Sequence, residues 1–182
     1  MFTTKNQVIG IFLGSFIFLV SACSPVRVIH TEQLPDFSLR NYKTFNYYQV
    51  EAAEDFPDYN ARIGWIKEEL KNQLEAEGLK QSDDDPDLLV NIGIAIIEKT
   101  QTRDTDVRTD AMRYMGGQNY SWQSETVEVG NYLEGTVIVH FVDPDEKVLL
   151  CEGVGQSIIL DSEEASKKNI KTGITKLLAA ID

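Results

Sequence analysis

The chain has 182 residues and a formal charge of −12, with 29 acidic side chains against 17 basic ones and only two cysteines. That acidity excludes a nucleic-acid surface and charge-driven binding to anionic lipid heads, both of which need clustered Lys and Arg. Two cysteines allow one disulfide at most.

The first predicted element is an export segment. A polar start carrying Lys5 leads into an apolar run from Val8 to Val20, and the run closes on the small residues Ser21 and Ala22 before Cys23. This is the three-part order of a secretory signal. The run is shorter than the roughly 20 apolar residues that cross a bilayer, so it reads as a signal core and not as a permanent span. Its ending, Val20-Ser21-Ala22-Cys23, resembles the lipobox of bacterial lipoproteins. The resemblance implies cleavage between Ala22 and Cys23, a diacylglycerol thioether on the Cys23 sulfur and a further acyl chain on the freed amine. The bland alternative is a buried cysteine beside an ordinary cleavage site. In lipoproteins an aspartate after the cysteine commonly retains the protein at the inner membrane. This chain has Ser24 there, which points to the outer membrane, and the lack of an acidic run directly after Cys23 points to its periplasmic face. The segment 1–22 holds one cation and no anion, so its removal leaves 160 residues with a charge of −13, a length typical of one domain. The expected layout is a signal peptide over 1–22, a lipidated start and short tether over 23–25, and one domain over 26–182. The anchor occupies Cys23 and leaves Cys151 without an intrachain partner.

Within the domain, Val26 to Thr31 reads as a first strand, interrupted by Leu34-Pro35-Asp36. Tyr42 to Val50, rich in aromatic and β-branched residues, reads as a second. A helix over 59–77 follows, with Asp58 or Asn60 as its cap. Ile63, Ile66, Leu70 and Leu74 form its apolar stripe, and Gly78 is its terminator. The acidic run Ser82 to Asp87 has carboxylates dense enough to suggest calcium, but Pro86 breaks the alternation an EF-hand loop requires, so a solvated turn is expected and no metal is assigned. Leu88 to Ile97 is near-continuously apolar and reads as a central strand.

From Lys99 to Gln123 periodicity disappears, which predicts a long irregular segment. Its aromatics Tyr114, Tyr120 and Trp122 are either packed on the sheet or offered to a partner. Glu125 to Val129 reads as one strand and Thr136 to Val142 as another. The second enters a hairpin through Asp143-Pro144-Asp145-Glu146 to Lys147–Gly153. If Pro144 and Asp145 alone made the turn, His140 and Cys151 would lie diagonally on one face, which raises a nucleophile pair; one residue of register separates them. A helix over 162–181 closes the chain, with Asp161 or Ser162 as its cap and Glu164 completing a box with Asp161. Ile170, Ile174, Leu177, Leu178 and Ile181 form its apolar face. No Gly-rich phosphate loop, CxxC pair or HExxH motif occurs, so no catalytic residue and no cofactor are assigned.

Three segments together, Tyr42-Lys43-Thr44-Phe45, Asp85 to Val90, and Tyr132 to Ile138 running to Asp143, resemble the bacterial lipoprotein family described as domain of unknown function 4136. The chain departs from the pattern in having Cys151 and Glu152 ahead of Gly153, where the family often has tryptophan and arginine. The resemblance implies an α+β domain with an antiparallel sheet and two main helices, an envelope location, and no known activity. The functional expectation is a noncatalytic, membrane-anchored lipoprotein that binds or scaffolds another envelope component. The alternative is an accessory lipoprotein of an envelope lipid or lipopolysaccharide transport system, which requires an apolar groove or a transporter partner.

Overall fold

The computed structural model describes residues 26–48, 59–110 and 121–181. The predicted signal peptide, the Ala22–Cys23 cleavage site, the tether, Asp58, Tyr114 and Tyr120 therefore lie outside the described residues. In chain order come β1 (Val26–Gln33), a 3-10 turn (Leu39–Asn41), β2 (Thr44–Tyr47), α1 (Tyr59–Ala76), β3 (Lys80–Gln81), β4 (Leu88–Asp104), β5 (Thr126–Val142), β6 (Leu149–Ile158) and α2 (Glu163–Ile181). The strands form one sheet in the order β1-β6-β5-β4-β2-β3.

Both helices follow from their apolar stripes. In α1, Ile63, Ile66, Leu70 and Leu74 are all buried. The helix stops at Gly78, whose φ of 103° suits glycine and strains any L side chain. There the Leu79 N–H donates to Leu74 O (3.0 Å) and the Gly78 N–H to Glu75 O (3.1 Å). That pair of bonds satisfies two terminal carbonyls and brings buried Leu79 against buried Leu74. In α2, Ile174, Leu177, Leu178 and Ile181 are buried. Ser162 rather than Asp161 supplies the cap, its Oγ accepting the Ala165 N–H at 3.4 Å, and Glu163 and Glu164 place negative charge at the helix start. Asn60 lies inside the first turn of α1.

The α+β class holds, but the sheet is mixed and not purely antiparallel. β1, β6, β5 and β4 pair antiparallel, whereas β2 runs parallel to both β3 and β4. The reason is the connection: α1 lies between β2 and β3, and a crossover through a helix returns the chain in the same direction. Residues 82–87 then carry the chain from β3 past β2 to β4, and Phe45 pairs with Gln81 on one side and Leu88 on the other.

Two further expectations are corrected. Lys99–Asp104 is not irregular but continues β4, and the two separate strands expected over 125–142 are one strand, β5. The two elements pair from Leu89↔Val142 to Asp104↔Thr126, with a register shift between Gln101 and Thr102. β6 accompanies β5 only as far as Glu134, so beyond it β4 and β5 form a two-stranded ribbon with solvent on both sides. A ribbon wetted on both faces has no reason to alternate polar and apolar residues, which is why its sequence looks aperiodic.

The helices cover one face of the sheet. Leu177 sits so close over β6 that a Cβ on Gly153 would meet its Cδ2 at 2.8 Å, and Phe45, Leu88, Val90, Val139, Phe141 and Cys151 join the same buried core. Ile174 lies in this seam with 4% of its surface exposed. Ile174→Asp is expected to lower unfolding free energy by about 3 kcal/mol or more, because it buries a carboxylate without a partner. Chemical denaturation measures this, and an unchanged midpoint would place the α2 face in solvent.

Candidate functional site

The hairpin between β5 and β6 fixes which side chains meet. Its loop is longer than the two residues that would pair His140 with Cys151. The Asp143 N–H donates to Val148 O and the Lys147 N–H to Asp143 O, both at 3.0 Å. Asp143 Oδ1 accepts the Asp145 and Glu146 N–H groups at 2.8 and 2.9 Å, and Lys147 takes a positive φ of 57°. The resulting register sets Phe141 opposite Cys151 and His140 opposite Glu152. Directly opposed residues share a face, so Cys151 points to the helices and His140 away from them. The nucleophile pair is therefore not formed.

On the face away from the helices, both histidines of the chain converge on one carboxylate. His140 Nε2 lies 2.7 Å from Glu152 Oε2, and His30 Nε2 lies 3.7 Å from Glu152 Oε1 and 3.8 Å from Glu32 Oε2. Farther along the same face, beyond Ile138 and Val154, a second polar row runs across β4, β5, β6 and β1. Lys99 Nζ is 2.5 Å from Glu134 Oε1, Gln156 Nε2 donates to the same oxygen at 2.9 Å, and Arg27 Nη2 reaches Gln156 Oε1 at 3.5 Å. Glu134 is 4% exposed, and a buried carboxylate of this kind depends on those partners. Among the described residues, no group of three or more His, Cys, Asp or Glu is arranged to hold a metal ion.

Two carboxylates of the acidic run after β3, Asp83 and Asp87, bond to the chain itself. Asp87 Oδ2 accepts the Lys43 and Thr44 N–H groups at 2.9 and 3.0 Å, and Thr44 Oγ1 accepts the Asp87 N–H at 2.9 Å. Those backbone bonds hold the Asp87 carboxyl below the ordinary carboxylate range. Asp83 Oδ1 accepts from Asn46 Nδ2 at 3.2 Å, and Ser82 Oγ donates to Asp84 O at 2.8 Å.

Between α2 and the sheet, at the end where β1 begins, lies a predominantly apolar cleft of about 100 Å³. Ile66, Ile94, Ile96, Val137, Ile158 and Ile170 supply its apolar wall, with Val26 beside them. Gly135, Gly155 and Gly173 leave the space open: a Cβ on Gly135 would meet the Ile159 side chain at 3.2 Å, and one on Gly173 would meet Val26 Cγ1 at 3.0 Å. Arg62 is the charged residue of the lining, its Nη1 donating to Ser166 Oγ at 3.1 Å and its Nη2 to Leu160 O at 3.4 Å. The Trp65 ring lies next to this wall, with Arg62 Cζ 6.0 Å and Lys167 Nζ 5.0 Å from its centroid.

At the ribbon's far end, Arg103 pairs with Asp110 through both guanidinium nitrogens (2.7 and 2.5 Å). Thr105 Oγ1 accepts the Glu125 N–H at 2.9 Å, closing the ladder. Of the three aromatics proposed for partner contact, Trp122 is described and 37% exposed. Sequence reasoning missed the histidine–carboxylate row and the cleft. The row becomes visible once the register is known, because Glu152, Val154 and Gln156 alternate with Cys151, Gly153 and Gly155. The cleft depends on three glycines from separate elements, and an absent side chain leaves no pattern.

The family model described as Domain of unknown function (DUF4136) matches residues 29–180. Among curated proteins no relative matches the chain. Among solved structures, a PDZ domain protein from Parabacteroides distasonis is similar at 13% identity and a TM-score of 0.50 over 96% of this chain. The chain spans 40% of that protein's length, and the similarity is one of fold alone. The PelC dodecamer from Paraburkholderia phytofirmans is 12% identical over 84% of this chain and 97% of its own, with a TM-score of 0.45.

Burial, and secondarily the charge of Glu152, push the Cys151 thiol up to about 11. The folded protein therefore keeps this proton between the ordinary value of 9.0 and about 11, while the unfolded chain releases it. The stabilising contribution is complete below pH 9 and is lost as pH rises toward 11. Iodoacetamide at pH 8 should label Cys151 slowly in the native protein and much faster after denaturation. Rapid native labelling that His140→Ala abolishes would restore the nucleophile reading.

Proposed function

Since the chain belongs to the DUF4136 family over residues 29–180, whose activity is unknown, we propose that it is a noncatalytic envelope lipoprotein. In this reading it is anchored through Cys23 to the periplasmic face of the outer membrane and binds or scaffolds another envelope component. The observation that carries it is that β1 starts at Val26, three positions after the lipobox cysteine. Three extended residues span at most about 11 Å, so the lipid would hold the sheet directly against the bilayer. The noncatalytic part is supported by the placement of His140 and Cys151 on opposite faces. The apolar cleft favours a second reading, an accessory lipoprotein of a lipid or lipopolysaccharide transport system, because that role needs an apolar groove.

Intact mass of the membrane-extracted protein should show loss of residues 1–22 and added acyl mass on Cys23, and Cys23→Ser should accumulate uncleaved. Recovery of full-length, unacylated wild-type protein from membranes would overturn the anchor.

The partner surface proposed is the end of the ribbon with Tyr114, Tyr120 and Trp122, since aromatic side chains are favoured anchors at interfaces. Replacing residues 106–123 by a short Gly-Ser turn preserves the Thr105–Glu125 closure. The variant should therefore melt within a few degrees of wild type yet lose the partner seen by crosslinking in cells. Retention of every crosslink would exclude this surface.

A further inference from the structure

We infer that the cleft between α2 and the sheet binds the terminal part of a single acyl chain that ends in an anionic group, as a long-chain fatty acid does. This deepens the transport reading and rests on it. The wall is built from isoleucine and valine side chains on α1, α2, β4 and β5, so water inside it meets few polar partners and is readily displaced by hydrocarbon. Its volume of about 100 Å³ is below the roughly 150 Å³ of an apolar cavity that takes up benzene. It therefore admits a few methylenes of one chain and not the two tails of a phospholipid.

The polar contribution to the lining comes with a direction. Arg62 holds a permanent positive charge in the wall of a domain whose overall charge is strongly negative, while Lys167, across Trp65, is paired with Glu163 at 2.7 Å. A hydrocarbon slot next to a guanidinium matches an amphiphile with an anionic end and disfavours a neutral one. The source of such a molecule follows from the topology. Val26, Ile96, Gly135 and Ser157 all line the cleft and lie at one level of the sheet, linked by the pairings Val26↔Ser157, Gly135↔Ser157 and Ile96↔Gly135. Val26 is three positions from Cys23, so the cleft lies at the end of the domain that the anchor would hold nearest to the bilayer.

The test uses the purified full chain and a palmitate carrying a photoactivatable diazirine. After irradiation and digestion, adducts of the fatty acid's mass should appear on the peptides containing Ile94, Ile96 and Ile170. Unlabelled palmitate should compete about tenfold better than methyl palmitate, whose head has no charge, as expected for losing a charge-assisted hydrogen bond. Dioleoylphosphatidylglycerol should not compete. Ile96→Trp, which fills the slot, should lose the adducts while keeping its melting curve. Should that variant fail to fold, Arg62→Gln should narrow the gap between the two competitors. Absence of wild-type adducts on these peptides overturns the proposal, as does equal competition by methyl palmitate or by the two-tailed lipid. Crosslinking in cells reports separately whether the protein touches an envelope transporter, so failure of the transport reading and failure of the cleft are told apart.

Discussion

One carboxylate, Asp87, ties the start of β4 to the start of β2. It takes the N–H groups of Lys43 and Thr44 where β2 begins, and Thr44 takes the Asp87 N–H in return. The consequence is that β4 starts beside β2 and parallel to it. β4 in turn pairs with β5, β5 with β6, and β6 with β1. Two of the three segments that carry the family resemblance meet at this clamp, and the third is the β5 strand paired with β4. The resemblance thus marks the frame of the sheet, which explains why the shared motifs say so much about fold and nothing about activity.

The sheet built on that frame has two unlike faces. Under the helices, contacts are tight enough that Gly153 accepts Leu177 only because it has no side chain. On the other face, polar rows run across the strands, and a nearly buried Glu134 is satisfied by Lys99 and Gln156. Such a row fixes strand register, because sliding one strand by a single residue would leave a desolvated carboxylate without its partners.

What could be read in the sequence follows from which elements have one wet face and one dry one. The stripes Ile63-Ile66-Leu70-Leu74 and Ile174-Leu177-Leu178-Ile181 gave both helices, and Gly78 marked a true terminator. The parallel pairing of β2 escaped because strand direction depends on the crossover through α1, which no local pattern encodes. The relation of His140 to Cys151 hinged on the length of one hairpin loop, and Lys147 in a left-handed conformation made it longer than Pro144-Asp145 suggested. For the candidate site, single residues such as Arg62 and Ile96 carried no signal, because their meaning comes from glycines on two strands and a helix.

The ribbon has a mechanical consequence for an anchored molecule. From Tyr132 to Thr126, β5 has only β4 as a pairing partner among the described residues, a projection of about 23 Å at 3.3 Å per residue. It leaves the sheet at the level of Ile96 and Gly135, the same end at which Val26 enters. The tether proposed through Cys23 would be at most about 11 Å long, so the projecting arm would be roughly twice the length of the leash. A domain held this way cannot stand upright with the arm between itself and the bilayer. Under the proposed anchor the arm, whose end carries Arg103, Asp104, Asp106 and Asp110, would lie along the membrane plane, and that posture would restrict the tilt and swivel of the whole molecule.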